Sequence, residues 1–531
     1  MKTKTNYRMK TLKSFVWMLA MTAAILTASC SGSGSVEAKL DKYVPDDVDL
    51  VFTGDIQRAV EATGSTIEDG AIKPSAMLED MIGTMSAGDR DILRKFLSFK
   101  GMDWTNGVVA VRLNGMNPEA LFIWSVTNEK EFARSMAEAT HDKGQVGNED
   151  GYVTFGDEES ALVFKDNMGF CVFTDNNMAK ASTAIRIVES WASNASEKPL
   201  ASWKKDCLAS EHTFNMMMNG KIFEMATAIQ PTQIRALYAQ MPELKGMMDK
   251  MSKGVISGYL DLDGQSLRAE VSLLDGEGKD LDFGIDYKEI NTDLLKYGTS
   301  KDLAVFGFGS GKLFADQIMK IMDGNVPADA AGIIKSVLGG IDGSIVAMFG
   351  PATDNLVDLQ TTKGWTLTGV IEYADAAKAG AALDAIADIL KTAGSDELSV
   401  AAHQAGSSAD VVVITEDYSN ASFDYDTYEM VGVEKVSNNL SLRVDGKNLV
   451  ISTSKQNGDG CGISKDLISG SYSALAIEIP KDNKLFSLLH VPFGVKGNIV
   501  SKESHATLDI TLTDTKDNFL TAIFRLIGSK A

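Results

Sequence analysis

The sequence predicts an α+β fold in two related copies, each an antiparallel sheet with helices packed on one face. Three observations carry this expectation. A chain of 531 residues, 44% hydrophobic and with only ten prolines, is globular and exceeds what one hydrophobic core serves. The segment from Gly258 to Asp275 aligns without a gap with Gly497 to Asp514, as a duplication would leave it. Within each copy, runs of neighbouring strands are broken by single helices, the order that gives antiparallel sheets with segregated helices.

Taken in order, the chain begins with Lys2, Lys4, Arg8, Lys10 and Lys13, no acid among them, and an apolar run from Phe15 to Leu26. Twelve helical residues reach about 18 Å, short of the roughly 30 Å of a bilayer core, so the run reads as a secretory signal and not a span. Its end, Thr27-Ala28-Ser29-Cys30, resembles the lipobox of bacterial lipoproteins, with Leu26 four residues before the cysteine where the strictest form has it three before. That resemblance implies removal of residues 1–29 and lipid attachment at Cys30, which becomes the mature N-terminus. The residues alone leave open a plain signal cut near Ala28. At about 0.8 kcal/mol per buried methylene, several acyl chains anchor stably where one does not. Ser31, Gly32, Ser33, Gly34 and Ser35 open a stretch, 30–42, that reads as a flexible tether.

The two copies are expected at 43–290 and 291–531. Each opens on a β-branched and aromatic run, Asp49-Leu50 leading into Val51-Phe52 and Asp302-Leu303 leading into Val305-Phe306, followed by an amphipathic segment. Asn106–Val111 matches Asp342–Ala347 as a turn into a strand. Asn128 and Asp375 stand as N-caps before helices over 129–139 and 376–392. The hairpin 162–173 corresponds to 440–451, and each copy closes on a hairpin whose second strand alternates apolar and polar residues. The first copy adds a helix over 177–193 and a helical stretch over 233–253; the second inserts a polar, acidic segment over 401–437.

Charge and cysteines narrow the function classes. Five basic and no acidic residues leave with the signal, so the formal charge falls from −21 to −26. Such a surface repels phosphate backbones and anionic headgroups, which argues against nucleic-acid binding and against adhesion to lipid by charge. After Cys30 only Cys171, Cys207 and Cys461 remain, enough for one internal disulfide at most. Cys171 sits in an apolar run and reads as a buried small hydrophobe, Cys461 in a glycine-rich loop open to exposure, and no functional thiol is expected.

No constellation of residues calls for a catalytic, cofactor or metal site. Phe306–Lys312 follows a strand and ends in lysine, yet Phe306 stands where a phosphate loop needs its first glycine, and Leu313 where it needs Ser or Thr. Leu260–Gly264 alternates two carboxylates before a glycine without the third ligand and closing Glu of a calcium loop, and reads as a hairpin turn. Asp424, Asp426 and Glu429 in the acidic insertion read as a solvated loop. His141, His212, His403, His490 and His505 show no zinc spacing, and no Gly-x-Ser-x-Gly elbow is present. Met216–Met218 reads as a strand, and Met241, Met247, Met248 and Met251 as one face of a helix; core packing is preferred to an adaptable groove. Trp104, Trp124, Trp191, Trp203 and Trp365 are dispersed.

Anchor, duplication and strand order together resemble exported Bacteroidales-type lipoproteins of an uncharacterised domain family. The resemblance implies a cell-envelope protein held to the outer membrane through Cys30, with an unknown envelope protein or ligand as partner and no catalytic motif. No cofactor and no nucleic acid are expected, and the lack of acidic residues between Cys30 and Glu37 favours the periplasmic face over the cell surface. The expected role is non-enzymatic binding. Two other classes stay open: an envelope hydrolase whose carboxylates converge only in three dimensions, and a purely structural envelope component.

Overall fold

A computed structural model describes residues 33–113, 119–140, 144–174, 177–223, 238, 242–322, 328–352, 364–392, 398–400, 411–419, 422–424, 429–431, 434–453 and 458–528. Cys30, His141, His403, Asp426, Met241 and parts of 233–253 and 401–437 lie outside the described residues. The fold is α+β and the chain forms two compact units. The described parts of Met1–Pro231, Gly246–Leu281 and Thr515–Ala531 make the first, and those of Thr232–Lys245 and Asp282–Asp514 the second.

In the first unit the strands lie in the order 145–149, 152–156, 161–165, 168–174, 119–125, 108–113, 50–54, 214–219, 255–263, 266–274, every neighbour antiparallel. In the second the order is 398–400, 411–419, 434–445, 448–452, 365–373, 341–351, 304–308, 473–479, 494–502, 505–513, again antiparallel throughout. The two orders correspond place for place. In each, the first strand of the copy sits in the middle, flanked by a meander that follows it and by a closing hairpin. The sheets are therefore two related copies of one design, the sign of duplication that the ungapped hairpin alignment gave.

Local chemistry explains the element ends. Asn128 Oδ1 accepts the Glu131 N–H at 3.0 Å and Asp375 Oδ1 the Lys378 N–H at 2.8 Å, so both expected N-caps start their helices, Glu129–Thr140 and Ala376–Thr392. Asp166 and Asn167 both adopt left-handed backbone, which a two-residue hairpin turn of matching twist requires. Leu260–Gly264 is the end of a strand and its turn, with Gly264 at φ +53°, as a hairpin and not a metal loop. The glycine-rich segment joins strand Ala304–Phe308 to helix Gly311–Met322, where Cβ atoms on Gly309 and Gly311 would strike the carbonyls of Lys288 and Gly343; Lys312 pairs with Asp316 at 2.5 Å.

Packing differs between the copies. In the second, helices 311–322 and 376–392 lie on one sheet face, and the other face is covered by Ile290, Leu294, Leu295, Tyr297, Ile463 and Ile468 from irregular segments and a short 3-10 turn. In the first, helices 56–62, 76–84, 87–97 and 129–140 cover one face, while helices Ser33–Tyr43 and Ala181–Glu197 add a layer on the other. The stretch 33–43 is thus helix where a flexible tether was expected. Val36, Leu40 and Tyr43 recur at helical spacing and are buried with Val51, Val109 and Val111, and that burial outweighs the flexibility of the preceding Ser/Gly run.

The division also departs from a simple halving at the C-terminus, because helix Phe519–Gly528 belongs to the first unit. The Phe519 N–H donates to the Gly264 carbonyl at 2.7 Å, Gln265 Nε2 donates to the Thr515 carbonyl, and the helix packs on helices 56–62 and 76–84.

Candidate functional site

Alternation in the second sheet builds a face of unusual uniformity. Registered pairs give a row Leu508, Ile499, Leu475, Phe306, Ala347, Gly369 across six strands. Two residues along lies Ile510, Gly497, Ile477, Ala304, Phe349, Leu367; two residues the other way lies Ala506, Ser501, Ser473, Phe308, Ile345, Ile371. Side chains two apart share a face of a strand, so these eighteen positions form one continuous patch. None is charged. Its two hydroxyls, Ser473 and Ser501, bond each other at 2.6 Å.

Helices cover only part of this patch. Phe314 on helix 311–322 meets Phe308 edge-on at 6.2 Å, and Ile371 packs under helix 376–392. Beyond that cover Phe306 is 52% exposed, Ile499 49%, Leu367 47% and Leu475 44%. Phe349 is exposed too and stacks on Trp365 with centroids 4.7 Å apart. Exposed apolar side chains scattered singly need no explanation, but a contiguous group of them marks a surface built for contact. Phe52 holds the place of Phe306 in the first sheet: each faces an alanine, Ala110 or Ala347, on the next strand, and Phe52 and Val271 are exposed there. Arg112 enters that first face, and Trp124, Phe122 and Cys171 close much of it beneath helices.

The alternation that reveals this face was legible in the hairpins, where it reads as half-burial. What alternation does not tell is which apolar side the helices leave uncovered.

A second feature is polar and lies in the first unit. His212 Nδ1 sits 2.7 Å from Asp261 Oδ2, the Thr213 N–H donates to Asp261 Oδ1 at 2.7 Å, and the His212 ring stacks on Tyr259 at 3.7 Å. Arg58 Nη1 approaches Asp261 at 3.9 Å, and Tyr259 donates to Glu270 at 3.3 Å. A carboxylate-held imidazole has the chemistry of a general base. Both Asp261 oxygens are engaged, and the cluster joins 210–213 to strand 255–263 as a clasp.

The remaining sequence candidates are dispersed. Cys171, Cys207 and Cys461 are all free thiols. Burial pushes the Cys171 thiol up to about 12, and burial pushes Cys461 to about 12 as well, with Asp302 and Glu478 adding to it. Met217 is buried in the core of strand Phe214–Asn219, while Met216 and Met218 take the opposite side. Trp104, Trp124 and Trp191 are buried. Among the described residues no cluster of His, Cys, Asp and Glu is arranged to hold a metal, and no helix is long and apolar enough to cross a membrane.

No protein-family profile matches the chain, and no curated protein does. Solved structures described as crystal forms III and IV of TP0453 resemble it weakly. They share 11% and 10% identity, cover 44% and 45% of this chain and 78% and 83% of their own, and both give a TM-score of 0.26. A likeness that slight carries no argument.

Proposed function

We propose that this chain is a lipid-anchored envelope protein, tethered through Cys30, that acts by binding and not by turnover. The observation that supports the reading is the exposed, uncharged face of the second sheet, set in a mature chain of formal charge −26. Leaving apolar area in water costs about 25 cal/mol per Å², a cost that a contact surface recovers when it is covered. On this reading the outer membrane carries the anchor and the body lies on the periplasmic side.

The test is metabolic labelling with an alkynyl fatty acid, followed by detergent partition and protease treatment of intact cells. Wild-type protein takes up label, enters the detergent phase and survives the protease; Cys30→Ala loses the label and the partition. Retention of Cys30→Ala in the detergent phase would sink the anchor, and digestion of the wild type on intact cells would move the body to the surface.

A further inference from the structure

We propose that the apolar face of the second copy holds the acyl chain of a membrane lipid. The inference rests on the anchored, binding role just described and names the ligand class for it. Three features favour hydrocarbon over other occupants. First, the face offers nothing polar to recognise: no charge, two hydroxyls spent on each other, and strand backbones already paired on both sides, so peptide addition finds no free donors there. Dispersion and desolvation are the only forces left, and a hydrocarbon chain is the ligand that needs no other. Second, a second copy of the mature chain would bring the same formal charge of −26 against it, which opposes self-association on this surface.

Third, Cys30 stands only a few residues before the first described helix of the first unit. Only Ser31 and Gly32 separate Cys30 from helix Ser33–Tyr43, whose Val36, Leu40 and Tyr43 are buried. Three residue steps span about 10 Å when extended, so a lipid on Cys30 keeps the first unit within that reach of a bilayer, and the second unit, on the same chain, is offered acyl chains as the abundant apolar ligand. The relief suits a narrow chain: beside Phe306 the row falls to Ala347 and Gly369, and an added Cβ on Gly369 would find its nearest neighbours only at 4.0 Å.

The experiment uses the mature chain from residue 31 onward, made without lipid so that no acyl group of its own competes, and titrates it with cis-parinaric acid followed by fluorescence. The expected result is a saturable signal, with affinity lowered about tenfold, or about 1.4 kcal/mol, in the Phe306→Ser, Leu475→Ser double variant. Both side chains are exposed, and an unchanged thermal midpoint shows that the variant is folded. Absence of a saturable signal overturns the proposal, as does equal affinity in the folded variant. So does a wild-type dimer in sedimentation that the same substitutions dissociate, because the face would then belong to a second copy. Because the probe protein carries no anchor, this result is independent of whether Cys30 is acylated.

Discussion

Val305 and Phe306 are neighbours on one strand and the smaller is the one inside: Val305 is fully buried, whereas Phe306 is 52% exposed. Ordinary burial energetics would place the larger ring in the core, since a buried Phe gains more than a Val. Phe306→Ser is therefore expected to change unfolding free energy by no more than about 0.5 kcal/mol. Val305→Ala removes two methyl groups from a filled site and is expected to cost about 2 kcal/mol. Urea denaturation of the two variants decides it, and a large loss in Phe306→Ser would mean the ring is a core residue after all.

Asp55 gives stability a pH dependence. Its Oδ1 accepts the Arg58 N–H at 3.2 Å, its Oδ2 is buried and has no partner among the described residues, and burial pushes the carboxyl up to about 7 from 3.8. Between those values the unfolded chain has lost a proton that the folded chain keeps, so stability falls as pH rises through the window and the penalty is complete above about 7. Asp55→Asn keeps the cap and removes the charge. Its melting temperature should exceed that of the wild type above neutrality, and the difference should shrink toward pH 4; a gap constant with pH would refute this.

Lys39 acts in the opposite sense. It is buried, donates to the Gly107 carbonyl, and burial lowers its pKa from 10.5 to about 8. From about pH 8 to 10.5 the unfolded chain holds a proton the folded chain has released, so this residue makes stability rise with pH there. Relative to Lys39→Met, the wild type should gain across that interval. Parallel curves would show that the ammonium is not desolvated.

The C-terminal helix is expected to stabilise the first copy although it follows the second in sequence. A chain ending at Asp514 loses the Phe519 to Gly264 and Thr515 to Gln265 bonds and uncovers helices 56–62 and 76–84. Hydrogen exchange should show protection lost in those helices while strands 304–308 and 341–351 keep theirs. Loss spread evenly over both copies would contradict the assignment.

Thiol chemistry offers a simple check. With Cys171 and Cys461 pushed up to about 12, neither is a thiolate near neutral pH, and iodoacetamide should modify them only after unfolding. Rapid alkylation of native Cys461 would show that its loop opens to solvent.

Much of the architecture was legible because a duplication repeats its own evidence. The Gly258–Asp275 and Gly497–Asp514 segments fix equivalent hairpins, and the Asp-Leu runs before Val51 and Val305 mark equivalent central strands. Helix 33–43 was hidden by the Ser/Gly run before it, although Val36, Leu40 and Tyr43 already carry its spacing. The polar clasp was illegible for a different reason. His212 and Asp261 are far apart in sequence, and only the pairing of strands 214–219 and 255–263 brings them together.

The return of the last helix to the first unit bears on the order of events in biogenesis. Synthesis runs from the N-terminus, and domains commonly fold as they emerge. Here helix Phe519–Gly528 follows the second unit in the chain, so the first unit stays without that covering while residues 282–514 are made. A stop codon before Phe519 therefore injures the part that was made first.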